Sequence, residues 1–245
     1  MTASPLVVIP ALNEGRSVGA VVRAVRAEGF DVVVVDDGSS DDTGARAREA
    51  GATVLTLPVN LGVGGALRCG FRFAVERGYS SAIQCDADGQ HEPRLLRALV
   101  ESAPARDGAH LVIGSRFLEG ASRPPTGAAR RLAMRYLARI ASAAAGTRLT
   151  DVTSGFRLFQ GELLVNFARN FPSYWLGDTF EATYVAGRAG YRVAEIPVSM
   201  QERAHGRSSA SNRAAVVMIV KALLTALLGL HMPLPRPTTG GRSRP

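Results

Sequence analysis

Apolar positions along this chain alternate between two rhythms. Short runs rich in Val, Ile and Leu at 6–9, 30–35, 53–57, 81–85, 110–114 and 193–198 predict buried strands. Between them the spacing is helical: Val18, Val21, Val22 and Val25 share one face of a helix predicted over 17–28. Further helices are predicted from the turn and cap cluster at Ser39-Ser40-Asp41-Asp42-Thr43 to about Ala50, and over 66–77, 95–101, 130–145 and 180–189. Pro10 is expected to stop the first strand, and residues 151–159 read as a turn into another. Strands alternating with helices predict a mostly parallel sheet with right-handed crossovers, so the fold class is α/β, a single Rossmann-like domain over 1–212. Ligands bind such sheets beyond the carboxyl ends of the strands. Residues 10–14, Asp36-Asp37 and Asp86-Ala87-Asp88 all fall there, so three acid-bearing loops are predicted to share one edge.

The later part of the chain adds two amphipathic features. On the helix over 130–145, Arg131, Arg135 and Arg139 are four apart on one face and Leu132, Tyr136 and Ile140 lie on another, which suits either a solvated surface or an anionic partner. Residues 214–230 carry a single charge, Lys221, and follow Arg203, Arg207 and Arg213. At 17 residues the stretch is short of the roughly 20 that a crossing needs. A C-terminal apolar helix over 213–232, lying in the membrane interface with basic residues at the headgroups, is the expectation; burial in the core or in a dimer is the other reading. The Pro-, Gly- and Arg-rich tail over 233–245 reads as disordered.

Composition narrows the partners. The 245 residues carry 29 basic and 21 acidic side chains, a formal charge of +8, which favours phosphates, lipid headgroups or nucleic acid. Nucleic acid is disfavoured because the arginines lack interleaved aromatics and no binding motif is present. Cys69 and Cys85 make no disulfide framework and read as small buried residues in a reducing compartment. The N-terminus has no basic segment before its short apolar run, so no export is implied.

The chain's chemistry centres on Asp86-Ala87-Asp88-Gly89-Gln90-His91. Two carboxylates one residue apart after a strand can converge on one hard cation, with Gln90 as a third oxygen donor, and such a cation holds substrate phosphates. Asp and Gly also form turns, so the motif by itself leaves both readings open. His91 reads as a loop-stabilising residue in preference to a metal ligand.

Taken in order, Val8-Ile9-Pro10-Ala11-Leu12-Asn13-Glu14, Val35-Asp36-Asp37-Gly38-Ser39, Asp86-Ala87-Asp88-Gly89-Gln90-His91, Gly114-Ser115-Arg116 and Thr153-Ser154-Gly155-Phe156-Arg157 resemble the motif series of family 2 glycosyltransferases. The likeness is greatest to the branch of dolichyl-phosphate mannose synthase and bacterial polyprenyl-phosphate glycosyltransferases, and it spans about residues 5–210. The resemblance implies a GT-A fold, a GDP- or UDP-linked sugar donor and a divalent cation, Mg²⁺ or Mn²⁺. By position, Pro10, Ala11, Glu14 and Asp37 would line the nucleotide pocket with Asp86 and Ala87 beside them, and Asp88 and Gln90, with Asp86, would hold the metal on the diphosphate. Leu12 stands where some members have an aromatic residue. Arg203-Ala204-His205-Gly206-Arg207 resembles the family's closing loop, in which Arg203 would meet the donor phosphates.

The resemblance further implies an inverting, metal-dependent transferase whose acceptor is a polyprenyl phosphate. Arg116 and Arg131 would hold that phosphate, with Arg130 and Arg135 as neighbours; Asp88, Arg116 and Arg131 would carry the catalysis. A phosphate monoester is already anionic and needs cations more than a general base, and guanidinium forks suit its oxygens. The expected place of work is the cytoplasmic membrane face, by peripheral attachment, with a separate membrane-anchoring protein as a further partner. Transfer to a glycan hydroxyl, with Asp178 or Glu181 as base, is the alternative. A sugar-nucleotide pyrophosphorylase would want a Gly-rich basic first loop, which residues 10–15 lack, and a scaffolding pseudoenzyme is at odds with intact Asp37, Asp86 and Asp88. Gly62-Val63-Gly64-Gly65 lacks dinucleotide-fingerprint spacing and is expected to allow close helix packing near the donor.

Overall fold

A computed structural model describes residues 4–105, 108–118, 128–171, 178–199 and 233–238. The buried β-branched runs become strands β1 (Leu6–Ala11), β2 (Val32–Asp36), β3 (Thr53–Thr56), β4 (Ser81–Gln84), β5 (Leu111–Ser115), β6 (Arg157–Gln160) and β7 (Val193–Pro197). The helices are α1 (Val18–Ala27), α2 (Thr43–Glu49), α3 (Gly62–Glu76), α4 (Leu95–Ala105), α5 (Ala128–Ala145), α6 (Glu162–Asn170) and α7 (Asp178–Ala189). One seven-stranded sheet runs in the order β3-β2-β1-β4-β6-β5-β7. Its strands are parallel except β6, which is antiparallel to both β4 and β5. Strand alternation splits the core across the two faces: Leu6, Val8, Val33 and Val35 pack with α3, α5, α6 and α7, while Val7, Ile9, Val32 and Val34 pack with α1 and α4.

Several local features differ from the sequence reading, each for a physical reason. Pro10 does not end β1, which pairs with β2 through Ala11, whereas its pairing with β4 stops at Val8. The imino nitrogen therefore sits where the strand has only one ladder neighbour. Helix α3 starts at Gly62, whose φ of 76° suits glycine, and the tight helix–sheet crossing comes later, at Gly70. A Cβ there would lie 2.3 Å from Val8 Cγ1, while one at Gly62 would meet nothing within 4 Å. Helix α6 was not expected. It buries Leu163, Leu164, Phe167 and Ala168, and Phe167 joins Phe71, Phe159 and Phe171 in an aromatic cluster with centroids 4.9 to 6.3 Å apart.

The reversed strand β6 decides which loops meet at the acid-bearing edge. Because it runs against its neighbours, the residues that lead into it, 150–156, arrive at the same edge as the carboxyl ends of β1, β2, β4 and β5. Among the described residues no helix is long and apolar enough to cross a membrane. The stretch 213–232 lies outside them. Of the tail, 233–238 is anchored: Leu234 packs against the core and the Thr238 amide donates to Glu162 Oε2 at 2.8 Å.

Candidate active site

Register brings together the residues expected to line the nucleotide pocket. Ala11 pairs with Asp36, and the Asp37 amide continues the ladder by donating to the Ala11 carbonyl at 2.9 Å. Asp37 is buried, and its Oδ1 accepts the Leu61 amide at 2.7 Å, tying the β2 loop to the start of α3. Asp36 Oδ1 accepts the Ser39 amide at 3.1 Å, an Asx turn that closes the loop. Asn13, at φ 55°, accepts the Ser40 amide on Oδ1 at 2.9 Å. Glu14 is half-buried, donates its amide to Thr43 Oγ1 at 2.8 Å and accepts the Ser17 hydroxyl at 2.8 Å. Pro10, Ala11, Glu14 and Asp37 thus form one rigid shelf, and Leu12 stands exposed at its rim.

Beyond β4 the acidic loop is held from two sides. Asp88 is buried and its Oδ1 accepts the Gln90 amide at 3.0 Å, folding the loop back over Gly89, whose φ is 75°. Asp86 Oδ2 lies 3.1 Å from His91 Nε2, and the His91 ring stacks on Phe156, centroids 4.9 Å apart and 15° from parallel. Ala87 packs in the core face that holds Ile9 and Ala11. The Asp86 carboxylate rests directly on Gly155, where a Cβ would fall 2.6 Å from Oδ1 and 2.5 Å from Oδ2. Burial pushes the Asp86 carboxyl up, but the His91 hydrogen bond and the charges of His91, Arg116 and Arg157 outweigh it and hold the group below its ordinary value.

Arg157 is fully buried in β6. Its guanidinium donates to the carbonyls of Ser154 at 2.6 Å, Val152 at 2.8 Å and Thr179 at 2.5 Å. It therefore fixes the 152–154 turn against the first turn of α7.

Arg116 follows β5 and meets the same turn from the other side. It forks onto Asp151, Nε to Oδ2 at 2.6 Å and a terminal nitrogen to Oδ1 at 2.8 Å, with Thr153 Oγ1 at 2.9 Å. The Asp151 side chain is fully buried, and its carboxyl is raised by burial but more than offset by the Arg116 fork. Arg116 is thus a pre-positioned cation with much of its donor set already engaged.

The Arg116 guanidinium also lies 5.7 Å from the centroid of the Phe117 ring, which lines a cavity of about 920 Å³ between α5 and residues 146–150. Arg131, Arg135, Arg139 and Arg148 surround this cavity, over a floor that includes Met134, Ala138 and Leu149. None of these four arginines has an ion-pair partner among the described residues. On the adjoining helix surface Leu132 is 71% exposed and Tyr136 45%.

The structure therefore gathers Pro10, Ala11, Glu14, Asp37, Asp86, Ala87, Asp88, Gln90 and Arg116 along one sheet edge, and puts Arg131 and Arg135 in a groove that adjoins it through Phe117. Arg203 and the Arg130 side chain lie outside the described residues. Glu181 is buried on α7, and the Asp178 side chain is outside the described set. Sequence reasoning missed Asp151, Glu195 and the structural role of Arg157. The available signal was an arginine between Phe156 and Leu158 in an otherwise apolar strand.

A mostly parallel seven-stranded sheet with one reversed strand and an acid-lined edge is the GT-A fold. Residues 6–166 match the sequence profile of glycosyl transferase family 2, and the chain belongs to that family. It is 33% identical over 214 residues to an undecaprenyl-phosphate mannosyltransferase of Micrococcus luteus, covering 84% of this chain and 87% of that one. It is also 33% identical over 222 residues to a polyprenol monophosphomannose synthase of Mycolicibacterium smegmatis, covering 86% and 82%. The fold is similar to glucosyl-3-phosphoglycerate synthase from Mycobacterium tuberculosis, solved with Mn²⁺, uridine diphosphate and glucosyl-3-phosphoglycerate. There the TM-score is 0.64 and the identity 21%, over 97% of this chain and 82% of that one.

Proposed function

We propose that this protein transfers a sugar from a nucleoside-diphosphate donor to a polyprenyl phosphate, inverting the anomeric centre in a single displacement at the cytoplasmic membrane face. The observation that carries the reading is the adjacency of an acid-lined edge, Asp86 and Asp88, to an arginine groove that Arg116 joins through Phe117. The names of the two relatives, both acting on polyprenyl phosphates or polyprenol, support the acceptor class.

On the donor side, the shelf of Pro10, Ala11, Glu14 and Asp37 binds the nucleoside. Asp88 and Gln90, with Asp86, would hold Mg²⁺ or Mn²⁺. Two carboxylates and an amide would leave positions on that cation for phosphate oxygens and water, and among the described residues no three Asp, Glu, His or Cys side chains converge into a protein-only cage. Such a cation, when bound, neutralises the leaving diphosphate. His91 and Gly155 keep the Asp86 carboxylate in one orientation, and the cationic surroundings keep it ionised.

On the acceptor side, Arg131 and Arg135 attract the phosphate and Arg116 orients it, while the apolar floor of the groove and exposed Leu132 and Tyr136 face the isoprenoid. A phosphate monoester attacks without losing a proton. That suits a site in which the Asp151 carboxylate beside Arg116 is buried and forked to it. Residues 213–232 would keep the domain at the lipid surface.

The test offers a labelled nucleotide sugar with a short-chain polyprenyl phosphate, the matching free polyprenol, or soluble glycans. Product is expected with the lipid phosphate alone. Transfer to polyprenol or glycan but not to the phosphate would refute the acceptor assignment.

A further inference from the structure

Glu195 lies on β7, far in sequence from every motif of the site, yet its contacts lead to Arg116. It pairs in register with Ile113 of β5, two residues before Ser115. Its side chain is buried and accepts from three donors on the opposite loop: the Thr150 amide at 2.8 and 2.9 Å, the Asp151 amide at 2.8 Å and the Thr150 hydroxyl at 2.8 Å. With the Thr150 hydroxyl proton directed to Glu195, the Ser115 hydroxyl must donate to Thr150 Oγ1, 2.6 Å away. Ser115 Oγ in turn accepts the Phe117 amide at 3.2 Å. Asp151, its backbone set by Glu195, takes the Arg116 amide at 3.1 Å and the Arg116 fork. Ser115 and Phe117, the two neighbours of Arg116, and Arg116 itself are thus referred to one carboxylate.

Such a construction is costly unless position matters. Two acidic side chains, Asp151 and Glu195, are buried side by side; burial and the Asp151 charge push the Glu195 carboxyl up against the backbone hydrogen bonds that lower it. A neutral side chain could tie the 149–152 loop to β7 without that burden.

We propose that Glu195 is a positioning residue for acceptor binding, setting Arg116 through Thr150 and Asp151. This rests on the reading of Arg116 as an acceptor-phosphate ligand. The carboxylate is matched to two converging amide N–H groups and a hydroxyl, an arrangement that locks the loop in one register.

The experiment compares steady-state kinetics of the full chain with those of Glu195→Ala and Glu195→Gln, varying donor and acceptor separately. Glu195→Ala is expected to raise the acceptor KM about 10- to 100-fold, the range for a displaced orienting group, with the donor KM within about twofold. Glu195→Gln keeps one oxygen for the two amides and lets the Thr150 hydroxyl reverse, so it should restore most of the loss. A purely structural role would lower kcat through the folded fraction and leave both KM values unchanged; that result overturns the proposal. If Glu195→Ala does not fold, Thr150→Val against Thr150→Ser gives the same readout, loss with Val and recovery with Ser. Hydrogen exchange at Arg116 Nε, followed by nitrogen-15 NMR, decides the positioning without any substrate: faster exchange in the variants supports it, and unchanged protection overturns it. Arg116→Ala with an unchanged acceptor KM would instead overturn the reading of Arg116, while the exchange measurement still judges Glu195.

Discussion

Replacing Gly155 by alanine adds one methyl at the point where the two halves of the site touch. Its backbone does not need positive φ, so the substitution is free of conformational strain and acts through contact alone. The new Cβ would fall 2.5 and 2.6 Å from the two Asp86 oxygens, about 0.9 Å inside the 3.4 Å at which ordinary contact begins. Asp86 cannot absorb that by rotating, because Oδ2 is tied to His91 Nε2 at 3.1 Å and the His91 ring is stacked on Phe156, the very next residue. Either the carboxylate moves by most of an ångström or β6 backs away from β4. A displacement of that size in a positioning group costs about 10- to 100-fold in turnover, and overpacking costs about 1–3 kcal/mol of stability. The assay is kcat/KM for sugar transfer alongside thermal unfolding of the same preparation. A Gly155→Ala protein within twofold of the parent in kcat/KM and unchanged in Tm would refute the idea that this contact sets the Asp86 geometry.

Asp88→Ala should lower turnover at least ~10²-fold, and excess chelator should do the same to the parent, read by initial rates with and without added Mn²⁺. The double variant Arg131→Ala/Arg135→Ala should raise the acceptor KM while leaving donor binding unchanged, measured by calorimetry with the nucleotide. Stability against pH should carry two opposite slopes from one network. Burial raises the Asp151 carboxyl but Arg116 more than reverses it, so its folded value is below 3.8; its contribution is present above that pH and lost as pH falls further. Glu195 is raised above 4.5, chiefly by burial, so its contribution is present below that pH and lost as pH rises through its folded value. Unfolding free energies across the acid range should therefore flatten at the low end in Asp151→Asn and at the upper end in Glu195→Gln; parallel curves for parent and variants would contradict both assignments. Gly70→Ala, with its Cβ 2.3 Å from Val8 Cγ1, should cost about 1–3 kcal/mol of stability by chemical denaturation.

The acid-lined edge was legible in the sequence because its physics is local. A β-branched run followed by Asp36-Asp37 or Asp86-Ala87-Asp88 states both the strand and the edge on which its acids must lie, and register does the rest. The surroundings of Arg116 were less so. Arg116 was readable as a cation, but its fork to Asp151 joins residues 35 apart, and the Glu195 contacts join residues 44 and 45 apart. Those pairings exist only once β6 has reversed direction, and nothing in the period-two pattern of 157–160 distinguishes an antiparallel strand from a parallel one. Helix α6 was missed for a related reason: nine residues directly after a strand offered no cap signal beyond Gly161.

The placement of β6 also makes the acid-lined edge depend on a late part of the chain. β4 gains its second neighbour only when residues 157–160 have been made and turned back, since Gln84 pairs with Arg157. A shorter chain ending after α4 has β1 to β4 and every acid of the donor shelf, yet no Gly155 beneath Asp86 and no Arg157 near it. The closing of β4 against β6 is a long loop closure that joins a parallel half-sheet to a mixed one, the kind of non-local step that slows folding. In chain order, Asp86 gains its seat on Gly155 and β4 its second neighbour only after the arginines of α5 and Arg148 have been added.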